Sequence, residues 1–197
     1  LAAVAQLTDR APVMRLLPWP EWMAENPADY GPLAAEVAVE AGQRQLLPAL
    51  RSLLEDNAGP ELIRAMGELG DRESIPTLLA LLEDRDSHYR PVVLESLGRI
   101  GGPRVRRALR QVAEEDGEVT SRIAYKALSL CATEEDDGFF RDAVGHPDWY
   151  VRLACAEVLG RFQRPKNLAA LVQLAADPAS IVAQRALALL EPEGEPR

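Results

Sequence analysis

The sequence predicts an all-α fold, a right-handed α-solenoid of about five short helix pairs behind an N-terminal cap. Three observations predict it. Apolar positions recur every 31 residues, each copy carries an i, i+3, i+4 apolar stripe, and the chain is rich in Leu and Ala with only 5% aromatic residues. A fixed period marks a repeat architecture, the stripe marks an amphipathic helix, and the composition favours helix over strand.

The period is read from columns. Met66, Leu97, Leu128, Leu159 and Leu190 are spaced by 31, and so are Leu78, Leu109, Phe140 and Leu171. Leu81, Val112, Ala143 and Leu174, and Leu82, Ala113, Val144 and Ala175, run in phase with the second set. A shorter copy precedes them, because Leu53-Leu54-Glu55-Asp56 matches Leu81-Leu82-Glu83-Asp84 at a spacing of 28, as Gly42 matches Gly70.

Taken in chain order, residues 1–29 hold Pro12, Pro18, Pro20 and Pro27 with Trp19 and Trp22. They read as a cap over the open apolar face of the first repeat, or as a docking segment displaying two tryptophans. The repeats run from Tyr30 to Leu190, two helices to a copy. Gly70, Gly101 and Gly160 fall near first-helix C-termini, where a left-handed cap suits glycine, and Pro103 and Pro165 open second helices, where a missing N–H costs little. Asp86 and Asp148, 62 apart, read as N-caps with Arg90 and Arg152 four residues on. Pro91 would interrupt a helix begun at Asp86, so that helix is expected to start late, near Tyr89, or to kink. The last copy has its first helix alone, and residues 191–197 read as a disordered Pro/Gly/Glu tail.

The phrases Ala65-Met66-Gly67-Glu68-Leu69-Gly70-Asp71, Ile75-Pro76-Thr77-Leu78-Leu79-Ala80-Leu81-Leu82-Glu83-Asp84 and Tyr150-Val151-Arg152-Leu153-Ala154-Cys155 resemble short HEAT repeats of the HEAT-like, or phycobilisome-lyase, type. The resemblance implies an α-solenoid whose second helices line the concave face. It implies a protein-interaction role first, an enzyme-associated subunit like those of phycobilin lyases as an alternative, and a nucleic-acid-binding relative remotely. On the implied concave face the column Glu73, Arg104, Glu135, Lys166 alternates in sign, and Ala80, Gln111, Asp142, Gln173 is neutral or acidic. A phosphate backbone needs continuous positive charge, so nucleic acid is not the expected partner.

The residues argue against catalysis, a cofactor or a metal. No nucleophile elbow, HExxH, P-loop or dinucleotide fingerprint occurs, and His88 and His146 do not share a repeat position. Both histidines read as surface turn residues. The acidic run Glu134-Glu135-Asp136-Asp137 reads as a solvated helix start. Cys131 and Cys155 sit in apolar helical stretches and read as buried free thiols, which favours a reducing, cytoplasmic setting. No apolar run approaches the roughly 20 residues of a membrane span.

The charge pattern says more. Net charge is −9, yet the stretch from Arg90 to Arg110 carries +5, with Arg90, Arg99, Arg104, Arg106, Arg107 and Arg110 against Glu95. On the helix from about Pro103 to Glu115, Arg104 and Arg107 fall on one flank of the apolar stripe and Arg106 with Arg110 on the other. They read either as solvated flanks paired with neighbouring acids or as a site for an acidic partner segment or phosphate. Trp149 and Tyr150 fall outside the core columns. They read as an aromatic anchor at a ridge between copies, or as packing on the preceding turn.

Overall fold

The structure, a computed structural model, describes residues 25–191. Eleven α-helices occur among them, and no strand does. In order they are α1 (Pro27–Glu40), α2 (Leu47–Asp56), α3 (Pro60–Glu68), α4 (Ile75–Ala80), α5 (Arg90–Ile100), α6 (Pro103–Glu115), α7 (Glu118–Cys131), α8 (Asp137–Asp142), α9 (Trp149–Arg161), α10 (Pro165–Leu174) and α11 (Ser180–Leu190). Odd numbers are first helices and even numbers second helices. In the repeat period α11 has no second helix among the described residues. Trp19, Trp22 and nearly all of the expected cap lie outside the described residues, as does the tail beyond Glu191.

The chain divides into two compact units, Leu1–Ile100 and Gly101–Arg197. In the first, α1 packs on α3 and α3 on α5, with α2 against α1 and α3, and α4 against α5. Ile63, Met66, Leu78, Leu94 and Leu97 of its core have no exposed surface, while the column residue Leu81 is half-buried. In the second, α7, α9 and α11 pack side by side in that order, with α6 on α7, α8 on α9, and α10 against α9 and α11. Leu109, Leu128, Phe140, Leu159 and Leu171 are its fully buried column residues. Each unit therefore stacks as a solenoid does, with every helix pair shielding its neighbour's apolar stripe.

Helix ends follow from single residues. Gly70 takes φ +64°, which lets the Asp71 N–H reach back to the Met66 carbonyl at 2.9 Å. Gly42 repeats the arrangement with φ +63° and a Gln43-to-Ala38 bond of 2.8 Å. Both are left-handed helix stops in which the chain beyond the glycine caps the last free carbonyls. Pro103 and Pro165 are the first residues of α6 and α10, as their spacing predicts. The expected late start is also found: α5 begins at Arg90, with Pro91 in its first turn. Arg90 itself donates through Nη1 to the Leu82 carbonyl.

Three expectations are corrected. Asp86 does not cap α5, which begins four residues later, whereas Asp148 does cap α9 through the Tyr150 N–H at 2.9 Å. Gly160 does lie near the C-terminus of α9, one residue before its last, but it is not a left-handed cap. A side chain there would meet Leu189 at 2.7 Å, so close approach between α9 and α11 is what calls for glycine. Finally, only Glu134 and Glu135 of the acidic run are solvated, while Asp136 and Asp137 are buried. Among the described residues no helix is long and apolar enough to cross a membrane.

Candidate interaction surface

Buried carboxylates need partners, and the arginine-rich helix α6 supplies them. Asp136 has no exposed surface. Its carboxylate closes a capping box with Thr133, whose backbone N–H donates to it at 2.7 Å. Arg110 donates to the same carboxylate through Nε at 2.9 Å and through Nη2, and Arg106 Nε stands 3.0 Å away. Arg106 also reaches Glu135 at 2.6 Å. Two of the four arginines expected at a docking site are thus committed inside the repeat stack. Arg104 and Arg107 differ: both are exposed on α6 and have no ion-pair partner among the described residues.

The same exchange recurs one repeat on. Arg141 lies 31 residues after Arg110, and Asn167 lies 31 after Asp136. Arg141 donates to the Asn167 side-chain oxygen at 2.7 Å, and Asn167 in turn donates to Asp137 at 2.9 Å. A second ladder crosses the first helices. Arg122 of α7 pairs with Asp148 before α9, and Arg152 of α9 pairs with Asp177 before α11 in two bonds of 2.6 and 2.9 Å. Arg152 also donates to the carbonyls of His146 and Pro147.

These ladders tune their acids. Burial works to raise the Asp148 carboxyl, but the Tyr150 N–H and the Arg122 guanidinium outweigh it and hold it below the usual carboxylate range. The Arg152 hydrogen bonds hold Asp177 below that range too, against its burial. The thiols move the other way. Burial pushes Cys155 up to about 12 and Cys131 up to about 11, and both are free. The reactive form of a cysteine is its thiolate, so neither is poised as a nucleophile. Among the described residues no group of His, Cys, Asp and Glu is arranged to hold a metal ion.

Three of the six large apolar side chains exposed among the described residues are periodic. Val119 is 68% exposed, Tyr150 48% and Ile181 50%. They are spaced by 31 and occupy the second position of α7, α9 and α11, the three first helices that pack side by side. Trp149 stacks on Tyr150 with ring centroids 3.8 Å apart, and the Arg122 guanidinium stands 5.1 Å from the Tyr150 ring. Trp149 is half-buried by this stacking, and Tyr150 is the ring left facing outward. Reading core columns alone overlooks Val119 and Ile181. The signal was an apolar residue held at one repeat position outside the core stripe.

A family profile describing HEAT repeats matches residues 60–129 and 138–191. It describes HEAT repeats at large and does not separate out the phycobilisome-lyase type. A comparison with curated proteins gives no match.

Proposed function

Because the chain belongs to the HEAT-repeat family, we propose that it is a non-catalytic protein-interaction scaffold. HEAT repeats commonly serve that role. The observation that carries the reading is the exposed row of Val119, Tyr150 and Ile181 on α7, α9 and α11. Burying one such side chain against a partner is worth about 1.5–3 kcal/mol, which gives the row a reason to be kept outward in three successive copies. Tyr150 with Trp149 behind it supplies the aromatic anchor such interfaces favour. Arg104 and Arg107, without ion-pair partners, offer a separate contact on the second unit for an acidic segment of the bound protein.

The test is capture of partners from a native lysate by the wild-type chain and by a Val119→Ser, Tyr150→Ala, Ile181→Ser variant. Exposed substitutions of this kind change stability little, so a matching melting temperature shows that the fold survives. We expect the captured protein to be lost from the variant. Charge reversal at Arg104 and Arg107 should weaken capture in a salt-dependent way. Retention of the same partner by the triple variant would refute the row as the interaction surface.

A further inference from the structure

A second feature of the Gly101–Arg197 unit is neither apolar row nor ladder. A cavity of about 360 Å³ opens between α6, α7 and α8, lined by Glu114, Tyr125, Phe139, Asp142, Ala143, Gly145 and His146. Its floor is aromatic. Tyr125 and Phe139 stack with centroids 5.1 Å apart, and the His146 ring stands 5.7 Å from Tyr125. His146 Nδ1 accepts the Asp148 N–H at 3.1 Å, which fixes the orientation of the ring.

Two kinds of polar group face this floor. Tyr125 is only 7% exposed, and its hydroxyl, which is not among the fully buried polar atoms, has no hydrogen-bond partner among the described residues. Burial first, then the nearby Cys155 and Glu114, push that phenol up to about 12, so it stays a neutral donor and acceptor. Glu114 and Asp142 line the exposed mouth, and neither carboxylate has a hydrogen bond or ion pair among the described residues. Elsewhere in this unit the acids of the ladders are matched by arginines, as Asp136, Asp148 and Asp177 are. Two unmatched carboxylates over an aromatic floor, with an unpartnered hydroxyl beneath, are the complement of a planar cation.

We propose that this cavity receives an arginine side chain from a basic segment of a bound protein. The guanidinium lies against the aromatic floor while its N–H groups donate to Glu114, Asp142 and the Tyr125 hydroxyl. Arginine fits better than lysine because its flat, weakly hydrated head both stacks on rings and presents five donors in a fixed plane. The proposal rests on the interaction-scaffold reading, but it uses none of the residues of the Val119, Tyr150 and Ile181 row, so the two stand or fall separately.

The experiment is a titration of the full-length chain, labelled with 15N, with a short peptide carrying one arginine between glycines. Control peptides carry lysine or citrulline in its place. The amides of Glu114, Tyr125, Phe139, Asp142 and Gly145 should shift together and saturate, with the lysine peptide weaker and the citrulline peptide inert. A Glu114→Gln, Asp142→Asn variant changes only exposed side chains and should bind roughly tenfold more weakly or worse, because charge-assisted hydrogen bonds are lost. Tyr125→Phe keeps the buried ring and removes the hydroxyl alone, and it should weaken binding by a smaller factor. Shifts scattered over the acidic surface and unchanged in the double variant would overturn the site. Equal binding of lysine and arginine peptides would overturn the arginine assignment. Loss of lysate capture by the Val119, Tyr150 and Ile181 variant with this titration intact would leave the cavity standing, and the converse would remove it alone.

Discussion

At the scale of single residues, the decisive atoms are those of Asp136. A fully buried carboxylate is tolerable only because Arg106, Arg110 and the Thr133 backbone surround it. Removing one partner of a buried pair leaves a charge without compensation, at a cost of about 3–5 kcal/mol. Arg110→Ala still leaves Asp136 the Arg106 guanidinium and the Thr133 N–H, and Arg110 is itself one-third exposed. It should therefore destabilise the second unit by less than that, about 1–3 kcal/mol, read by urea unfolding. Arg104→Ala, at an exposed position without an ion-pair partner, should fall within about 0.5 kcal/mol of wild type. Equal effects would mean that the Arg110 pairing contributes nothing. The thiols give a second expectation. With burial lifting them to about 11 and about 12, Cys131 and Cys155 should react with a thiol reagent at pH 8 far more slowly in the native protein than in urea. The arginine cluster was legible in the sequence, and so was its division by flank, Arg104 with Arg107 on one side of the apolar stripe and Arg106 with Arg110 on the other. Which flank is paired was not legible, because the acids lie 25 to 30 residues further on and helix packing, not local pattern, brings them within reach.

Helices and their contacts carry most of what the period foretells. A side-chain column that recurs every 31 residues leaves little choice of partner faces, so the pairs and their buried stripes follow directly. What periodicity does not convey is why a given glycine is present, since a helix stop and a close approach look alike in sequence. Gly70 is a stop, with positive φ. Gly67 and Gly160 are approaches. A Cβ on Gly67 would stand 2.6 Å from the Ser96 Cα, whereas one on Gly160 would meet the Leu189 side chain, Cγ included, at 2.7 to 2.9 Å. Alanine gains about 1 kcal/mol over glycine in a helix interior, and this sets the baseline for both sites. At Gly67 the obstacle includes backbone, so Gly67→Ala should force α3 and α5 apart and cost about 1–3 kcal/mol net. At Gly160 the obstacle is the Leu189 side chain from Cγ outward, which shifts more readily than backbone, so Gly160→Ala should be destabilising but cost less than Gly67→Ala. Thermal melts of the two variants would reverse this account if Gly160→Ala proved the more damaging.

Across the whole molecule, charge and acid response are linked. At neutral pH the chain carries −9, and acidification removes its carboxylate charges while 22 Lys and Arg remain. General repulsion then weakens the fold at low pH whatever the ladders do. The ladders add a specific component. Asp148 and Asp177 have folded-state carboxyls held below the ordinary range, so the folded chain binds their protons less readily than the unfolded chain does. Their contribution is present above the unfolded value, about 3.9, and is lost as pH falls through the lower folded values. An Asp148→Asn, Asp177→Asn variant lacks that contribution throughout. The stability gap between wild type and variant, read from urea midpoints, should be widest at pH 7, begin to narrow near pH 4, and close as pH falls further. Repulsion acts on both chains alike and drops out of the difference. A gap that stayed constant down to pH 2.5 would mean that Arg122 and Arg152 hold no ionised acid across the stack of α7, α9 and α11.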